Sequence, residues 1–445
     1  MPGLGFKSVT AQFAEFAVSA RLTSKMVDAA RWAVVDGFAV ILAGASSEVA
    51  VRVADGLVVD GQGIVPIYGS SRQTSPGLAA LINAVAGHAY DLDDWEAAAN
   101  THPTVVLLPA LLAVSHNRQV SGQQLLIAYA VGFELIARLG EAVTLDHYNR
   151  GFHSTATIGS IGCAAAVAKL LDLDVQTTAN ALSIAATQAS GFTLQFGTNV
   201  KPLQAGFAAR TGVESTLLAK AGITANTDII ENERGFAGLF GIAGRPMTNL
   251  GDPWGLIEHG IALKPWPTCS YAHRLMTAAI ELRPKVIDRL HSIVSIEATL
   301  PDFHKQILPF DQPTKTEEAL FSVPACIAKV LSDGDLNLED LAAKFWEKPP
   351  VQKLIQLINV NKEPAKIANL NVDPEQPDRL RIVMEQDVIE TTCAFPLGAP
   401  SNPISEAQLA KKFIDCSGLS RADFDRFLEW PICDNVSELF TTDVA

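Results

Sequence analysis

Short signatures of several large enzyme classes are missing from this chain. No Gly-x-x-x-x-Gly-Lys-Ser/Thr loop and no Gly-x-Gly-x-x-Gly turn follows a strand-like run, so nucleotide cofactors lack their usual cradle. There is no His-Glu-x-x-His helix and no Cys-x-x-Cys pair, the compact patterns that hold zinc. A Gly-x-Ser-x-Gly elbow is absent as well, which argues against a hydrolytic triad. Positive charge is short: 34 Lys and Arg stand against 48 Asp and Glu, a formal charge of −14, which speaks against nucleic acid or an anionic membrane as partner. Long apolar runs are lacking too. The most apolar stretch, Thr104 to Ser115, is too short to span a bilayer and carries Pro109. The opening residues, MPGLGFKSVTAQFAEF, lack the basic and apolar regions of a secretory signal. Six scattered cysteines (Cys163, Cys269, Cys326, Cys393, Cys416, Cys433) read as reduced, mostly buried thiols of a cytoplasmic protein.

What is present is apolar mass. Hydrophobic residues make up 48% of 445, enough to bury a large core and to exclude disorder as the main state. Up to about Gly260, Ala-rich apolar positions recur at three- and four-residue spacing between short Gly or Pro breaks, the helical period. Thr23-Ser24 can cap a helix running to Ala43 and stopping near Gly44; Ser121 opens another to Leu139, stopping at Gly140. Gly159 to Leu171 and about Ala205 to Ala221 continue the pattern, the second ending on Lys220 and Gly222. After Pro265 the period changes. Ser292–Leu300 and Lys366–Val372 alternate like strands, and Arg379–Thr392 reads as a hairpin turning near Gln386-Asp387. Helical segments lie between them, around Glu317–Leu331, Leu338–Ala343 and Pro350–Leu357. The expected fold is mainly α: a large all-helical domain over 1–262, completed by a returning helical tail at 400–445, and a smaller α+β domain over 263–399.

Reactive side chains gather in turn-rich places. Asp91, Asp93 and Asp94 stand within four residues, followed by His102-Pro103; such a cluster needs cations, hydrogen bonds or solvent. A solvated loop is the simpler reading for any one of these Asp residues, and His102 opens an apolar helix. His147, Tyr148, Arg150 and His153 precede a Gly/Ala-rich helix whose first turn would offer a positive dipole end to a carboxylate. His153 is read as functional rather than as a core histidine. Lys201 precedes the Ala205 helix, where a solvated charge is the ordinary reading. Lys264 to Arg274, with Cys269 and His273, falls on the expected domain boundary, a favoured place for clefts. Pro309 to Ser322 carries fewer candidates. Asp91, Asp93, Asp94 and His102 suggest a metal only loosely, and none is expected. This set of His, Lys, Tyr and Asp suits acid–base chemistry on a small anion.

These segments resemble, in order, the motifs of the MmgE/PrpD family, which includes 2-methylcitrate dehydratase, cis-aconitate decarboxylase and iminodisuccinate epimerase. Asp91-Leu-Asp-Asp with Thr101-His102-Pro103 looks like the family's His-x-x-Asp-Phe-Asp-Asp-Thr and His-Pro stretch. Gly151-Phe-His153-Ser-Thr-Ala-Thr-Ile-Gly159 resembles its Gly-x-His-x-Thr-x-Thr-x-Gly. Lys201-Pro-Leu-Gln-Ala-Gly206 is similar to Lys-x-x-His-x-Gly, and Lys264-Pro-Trp-Pro-Thr-Cys269 with His273 to Lys-x-Tyr-Pro-x-Cys and His. Pro396-Leu-Gly, Asn402-Pro403 and Lys412-Phe413 look like the family's ending. The resemblance runs through nearly the whole chain. It implies a helical domain plus a smaller α+β domain, usually a homodimer, working without a cofactor on di- or tricarboxylates. It also implies site roles for Asp91, His102, His153, Lys201 and Lys264.

The departures steer the expectation within the family. Trp95 replaces a hydroxyl after Asp94, Gln204 replaces a His, and Leu308 to Asp311 lacks the Tyr common in dehydratases. A dehydratase needs an acid for the leaving hydroxyl and cations for three carboxylates, and these changes remove pieces of both. An epimerase needs only two groups on opposite faces of one carbon. The expected activity is therefore an isomerase, an iminodisuccinate epimerase. Lys201 and Tyr148 would exchange the proton with His153 in support, and Asp91, His102, Arg150, Lys264 and His273 would bind substrate. The alternative is a lyase that dehydrates 2-methylcitrate or decarboxylates cis-aconitate; a binding protein that kept the fold without catalysis is a more distant one.

Overall fold

The computed structural model describes residues 8–59, 62–240, 249–367 and 370–441. Its first part is built from helices α1 (Val9–Ser19), α2 (Ser24–Gly44), α3 (Glu48–Leu57), α4 (Pro76–His88), α5 (Pro103–Ser115), α6 (Gly122–Asn149), α7 (Ser154–Leu170), α8 (Val175–Thr187) and α9 (Val200–Lys220). Two-residue strands β1 (Val65–Pro66) and β2 (Gln73–Thr74) pair between α3 and α4. Every residue of α5 is buried, as are nearly all of α4 and α7. Helices with no polar face must sit at the centre of the stack. Small residues let them close in: a Cβ on Gly212 of α9 would lie 2.2 Å from that of Cys163 in α7.

Several helix limits differ from the sequence reading: α7 begins at Ser154, ahead of Gly159, and the 317–331 run is two helices, Thr316–Ala319 and Val323–Asp333. α6 runs on through Gly140 to Asn149. Gly140 serves contact rather than termination, since a Cβ there would sit 2.0 Å from the Ala99 Cβ. α9 starts at Val200, ahead of Ala205, because Pro202 falls in the first turn, where its missing N–H costs no hydrogen bond.

The later part carries a four-stranded sheet in the order β4-β3-β5-β6. β3 (Ile293–Pro301) pairs in parallel with β4 (Ile358–Glu363) and antiparallel with β5 (Asp378–Met384), which forms a hairpin with β6 (Val388–Cys393). No strand is described over Lys366–Val372: residues 366–367 and 370–372 are bends and coil, and 368–369 lie outside the described residues. The Pro349–Ile355 helix delivers the chain straight to the β3 edge at Ile358, so the earlier of two short alternating runs takes the place. Helices His273–Val286 and Val323–Asp333 pack on each other and against this sheet.

One apolar core joins the helical part to the chain's end, where Leu409, Phe413, Phe424, Phe427, Trp430 and Phe440 pack around Phe38 and its neighbours. A second core gathers residues from Ala262 to Cys393 and takes in Trp95 from the helical part. The returning helix Glu406–Ser417 is pinned by Lys412, whose buried Nζ lies 2.6 Å from Asp36 and donates to the Leu92 carbonyl at 2.9 Å. Among the described residues, no single helix is long and apolar enough to cross a membrane.

Candidate active site

Three helices aim their N-termini at the seam between the two cores. His102 immediately precedes α5, His153 immediately precedes α7, and Lys201 is the second residue of α9. First-turn N–H groups and the helix dipoles make such a convergence electropositive. α4 ends at His88, and the loop after it crosses the same place with Asp91 and Asn100 in left-handed backbone, both at φ 52°. Asp and Asn tolerate that conformation better than other side chains with a Cβ. From the opposite side come Lys264, Cys269, Ser270, Tyr271 and Phe321.

Asp91 is the hub. Its Oδ1 lies 2.6 Å from Lys264 Nζ and its Oδ2 3.0 Å from Lys201 Nζ, while Lys264 also donates to the Asp91 carbonyl at 2.9 Å. Burial works to raise this carboxyl, but Lys201, Lys264 and His102 more than offset it and hold it well below the usual range. Asp93 behaves likewise: burial raises it, and the imidazoles of His88 (2.8 Å) and His102 (3.1 Å) hold it down. Asp94 has no cation. Burial pushes it up to about 8, against the hydrogen bonds it receives from the Thr104 N–H and hydroxyl.

The three imidazoles are uncharged near neutral pH. Burial pushes His102 down to about 4 despite Asp93, and lowers His88; His153 is held well below its usual value by burial and then by Lys201. The surrounding network assigns their protons. His88 donates from Nδ1 to Asp93, His102 from Nδ1 to the Asp94 carbonyl (2.8 Å), and His153 from Nδ1 to Gln204 Oε1 (3.1 Å). Gln204 is locked in that sense because its Nε2 donates to the Phe192 carbonyl. Each ring therefore keeps Nε2 as a bare lone pair.

A small pocket of about 20 Å³ lies at the centre, lined by Asp91, His102, His153, Lys201, Tyr148 and Tyr271 among others. Phe196 and Phe321 flank it beside Lys201, their ring centres 5.5 and 5.3 Å from Nζ. Outside them lie a groove of about 540 Å³, which shares Tyr148 and Phe196, and a cleft of about 150 Å³, which shares Asp91, Lys201 and Phe321.

The structure thus brings together Asp91, His102, His153, Lys201 and Tyr148, with Lys264 just behind Asp91. The three Asp residues are buried rather than solvated, and Lys201 is only 5% exposed. Arg150 stands apart: it is exposed, caps the end of α6 and lines the outer groove beside Tyr148. His273 is buried away from the cavity wall with Nε2 on the Thr268 hydroxyl (3.0 Å), and burial pushes it down to about 3. His147 bonds Thr157 and stacks on Phe152, a core role. His88, Asn100, Tyr271 and Phe321 lie inside the candidate segments without a role of their own, and Phe196 lies outside them. His88 sits three residues before Asp91, within reach of pattern reading; the rest reach the site through tertiary packing alone.

His88, Asp91, Asp93 and His102 offer ligand atoms within 4.8 Å of one another, and so do Glu141, Glu258 and His259. In the first set both Asp91 oxygens already face lysine ammoniums, so the charge a cation would bring is supplied by the chain itself.

A helical stack with a buried acid–base centre at its seam with an α+β unit is the arrangement seen here. The chain belongs to the MmgE/PrpD family: residues 11–246 match the MmgE/PrpD N-terminal domain and residues 266–427 the MmgE/PrpD C-terminal domain. Among curated proteins it is similar to cis-aconitate decarboxylase of Homo sapiens, 26% identical over 385 residues, or 82% of this chain and 76% of that one. Cis-aconitate decarboxylase of Aspergillus terreus is 30% identical over 366 residues, 73% of this chain and 74% of the relative. The cis-aconitate decarboxylase-like protein oryM of Aspergillus oryzae is 29% identical over 458 residues, 94% and 93% of the two chains. These relatives are named as lyases, which overturns the expected isomerase. The departures that favoured an epimerase carry less weight in three dimensions. Gln204 orients His153, and Tyr148 and Tyr271 bring two hydroxyls to the cavity.

Proposed function

We propose that this chain is a lyase that removes carbon dioxide from a small unsaturated tricarboxylate, with cis-aconitate as substrate. One observation supports it above the others: Lys201, His102, His153 and Tyr148 line one small pocket at the convergence of three helix N-termini. The decarboxylase names of the similar proteins support the same reaction class. In this reading the bond to one carboxylate breaks and its electron pair stays on the carbon skeleton, delocalised over the neighbouring double bond toward a retained carboxylate. The Lys201 ammonium and the helix ends offset that developing charge. The Tyr148 hydroxyl, which burial keeps protonated far above neutral pH, delivers one proton to carbon and is reprotonated through the outer groove. Trianion and proton thus become a five-carbon unsaturated dianion and carbon dioxide.

The cavity as it stands holds about one water, so Phe196 and Phe321 move aside for substrate. The test is proton NMR with cis-aconitate in heavy water, alongside trapping of the released gas. Carbon dioxide should appear one for one with product, and a single deuterium should enter the product. Lys201→Ala should cut turnover by about 10²–10³-fold or more while the fold persists. No carbon dioxide from the intact protein would overturn the proposal.

A further inference from the structure

Asn100 is buried, lines this small pocket and holds a left-handed backbone. Its Oδ1 accepts the indole N–H of Trp95 at 3.1 Å, which fixes the direction of the whole amide. The other end, Nδ2, has no hydrogen-bond partner although it is fully enclosed. It lies close enough to the hydroxyls of Tyr148 and Tyr271 for the amide to oppose the upward push of burial on both phenols, so the two tyrosines and Nδ2 form one polar wall. A buried donor left unpaired costs about 1–3 kcal/mol, so it stays in a fold mainly where something else pairs with it.

We infer that Asn100 is a substrate-binding residue whose Nδ2 donates to the carboxylate that departs, and that Trp95 is its positioning residue. This rests on the decarboxylase reading and deepens it. Lys201 is the only Lys or Arg among the described cavity-lining residues, so a substrate with three carboxylates cannot set each against a cation. The wall formed by Trp95, Asn100, Tyr148 and Tyr271 carries no formal charge. A carboxylate held there keeps its orientation, yet no cation opposes its conversion to neutral carbon dioxide.

The experiment combines steady-state kinetics on cis-aconitate with calorimetry of propane-1,2,3-tricarboxylate, a saturated analogue that lacks the double bond. Asn100→Gly suits the left-handed backbone and removes the amide; it should weaken analogue binding about 10- to 100-fold and raise KM in step, with kcat within about threefold. Trp95→Phe should give a smaller loss of the same kind, about 3- to 10-fold, and should add nothing in an Asn100→Gly background. Should Asn100→Gly not fold, Asn100→Asp keeps the indole's acceptor and replaces the donor with an oxygen; it should abolish analogue binding. Wild-type affinity in the Asn100 variants, a fall in kcat at constant KM, or full additivity with Trp95→Phe would overturn the inference while carbon dioxide release left the decarboxylase reading standing. Analogue binding that depends on Asn100 in a protein releasing no carbon dioxide would uphold the binding role and sink only the reaction. An intact protein that neither binds the analogue nor releases carbon dioxide would end both.

Discussion

At the scale of the residue, Asp91 shows how charge is managed in this interior. Two lysines and a carboxylate are all buried, and each is tolerated only because the others are present. Asp91→Asn isolates that point, because Asn accepts the same left-handed backbone and nearly the same volume. Lys201 and Lys264 would then face a neutral amide. We expect a loss of about 3–5 kcal/mol in urea-unfolding stability, together with loss of turnover. An unchanged midpoint would mean that solvent reaches the lysines. The sequence carried half of this. Its motifs marked Asp91, Lys201 and Lys264, yet the local reading of Asp91 as loop and Lys201 as surface charge fails, because 110 and 173 positions separate Asp91 from its partners.

Elements set the site through their ends. α5 and α7 are central because their sequences leave no polar face, and α9 packs its buried side against α4 and α7, which brings the three N-termini to one spot. α6 contributes through contact. Its Gly140 presses against Ala99, the residue before Asn100, so the loop bearing Trp95, Asn100 and His102 lies flush on that helix. Gly140→Ala places a methyl group where the Ala99 Cβ already stands. It should cost about 1–3 kcal/mol and should also lower activity, since the loop rather than the helix gives way. Equal melting curves for wild type and variant would disprove the tight approach. Periodicity found the bodies of these helices well and their limits less so. A Gly stopping a helix and a Gly admitting a neighbour look identical in one dimension.

For the whole molecule, buried titratable groups set the pH range of stability. Burial pushes His102 to about 4 and His147, His273 and His304 to about 3, so these rings stay neutral in the fold but protonate near 6.5 when unfolded. Between 6.5 and 4 the unfolded chain binds more protons, and stability falls as pH falls. Burial raises Asp94 to about 8 and Asp378 to about 7, while His259, against the pull of burial, is raised to about 10 by Glu141 and Glu96. Above 6.5 the folded chain therefore holds the extra protons, and stability falls as pH rises. Below 6.5 the two carboxyls act in the opposite sense to the imidazoles, but four rings outnumber them. Stability should peak between about pH 6 and 7 and drop on both sides, steeply on the acid side. Urea titrations from pH 4.5 to 9.5 test this, and a flat profile would show that the imidazoles are not buried as neutral rings.

The sequence by itself determined the helical stack, the β3 strand, the β5–β6 hairpin and the family motifs. All of these rest on local periodicity or on residue order, which a chain displays without folding. Only the tertiary structure decided that β4 rather than the 366–372 run pairs with β3, that Arg150 and His273 stand off the cavity wall, and that Gln204 and Trp95 act by orienting His153 and Asn100. Each of those outcomes depends on contacts between residues brought together by packing, where distance, burial and the direction of a single lone pair determine what a side chain does.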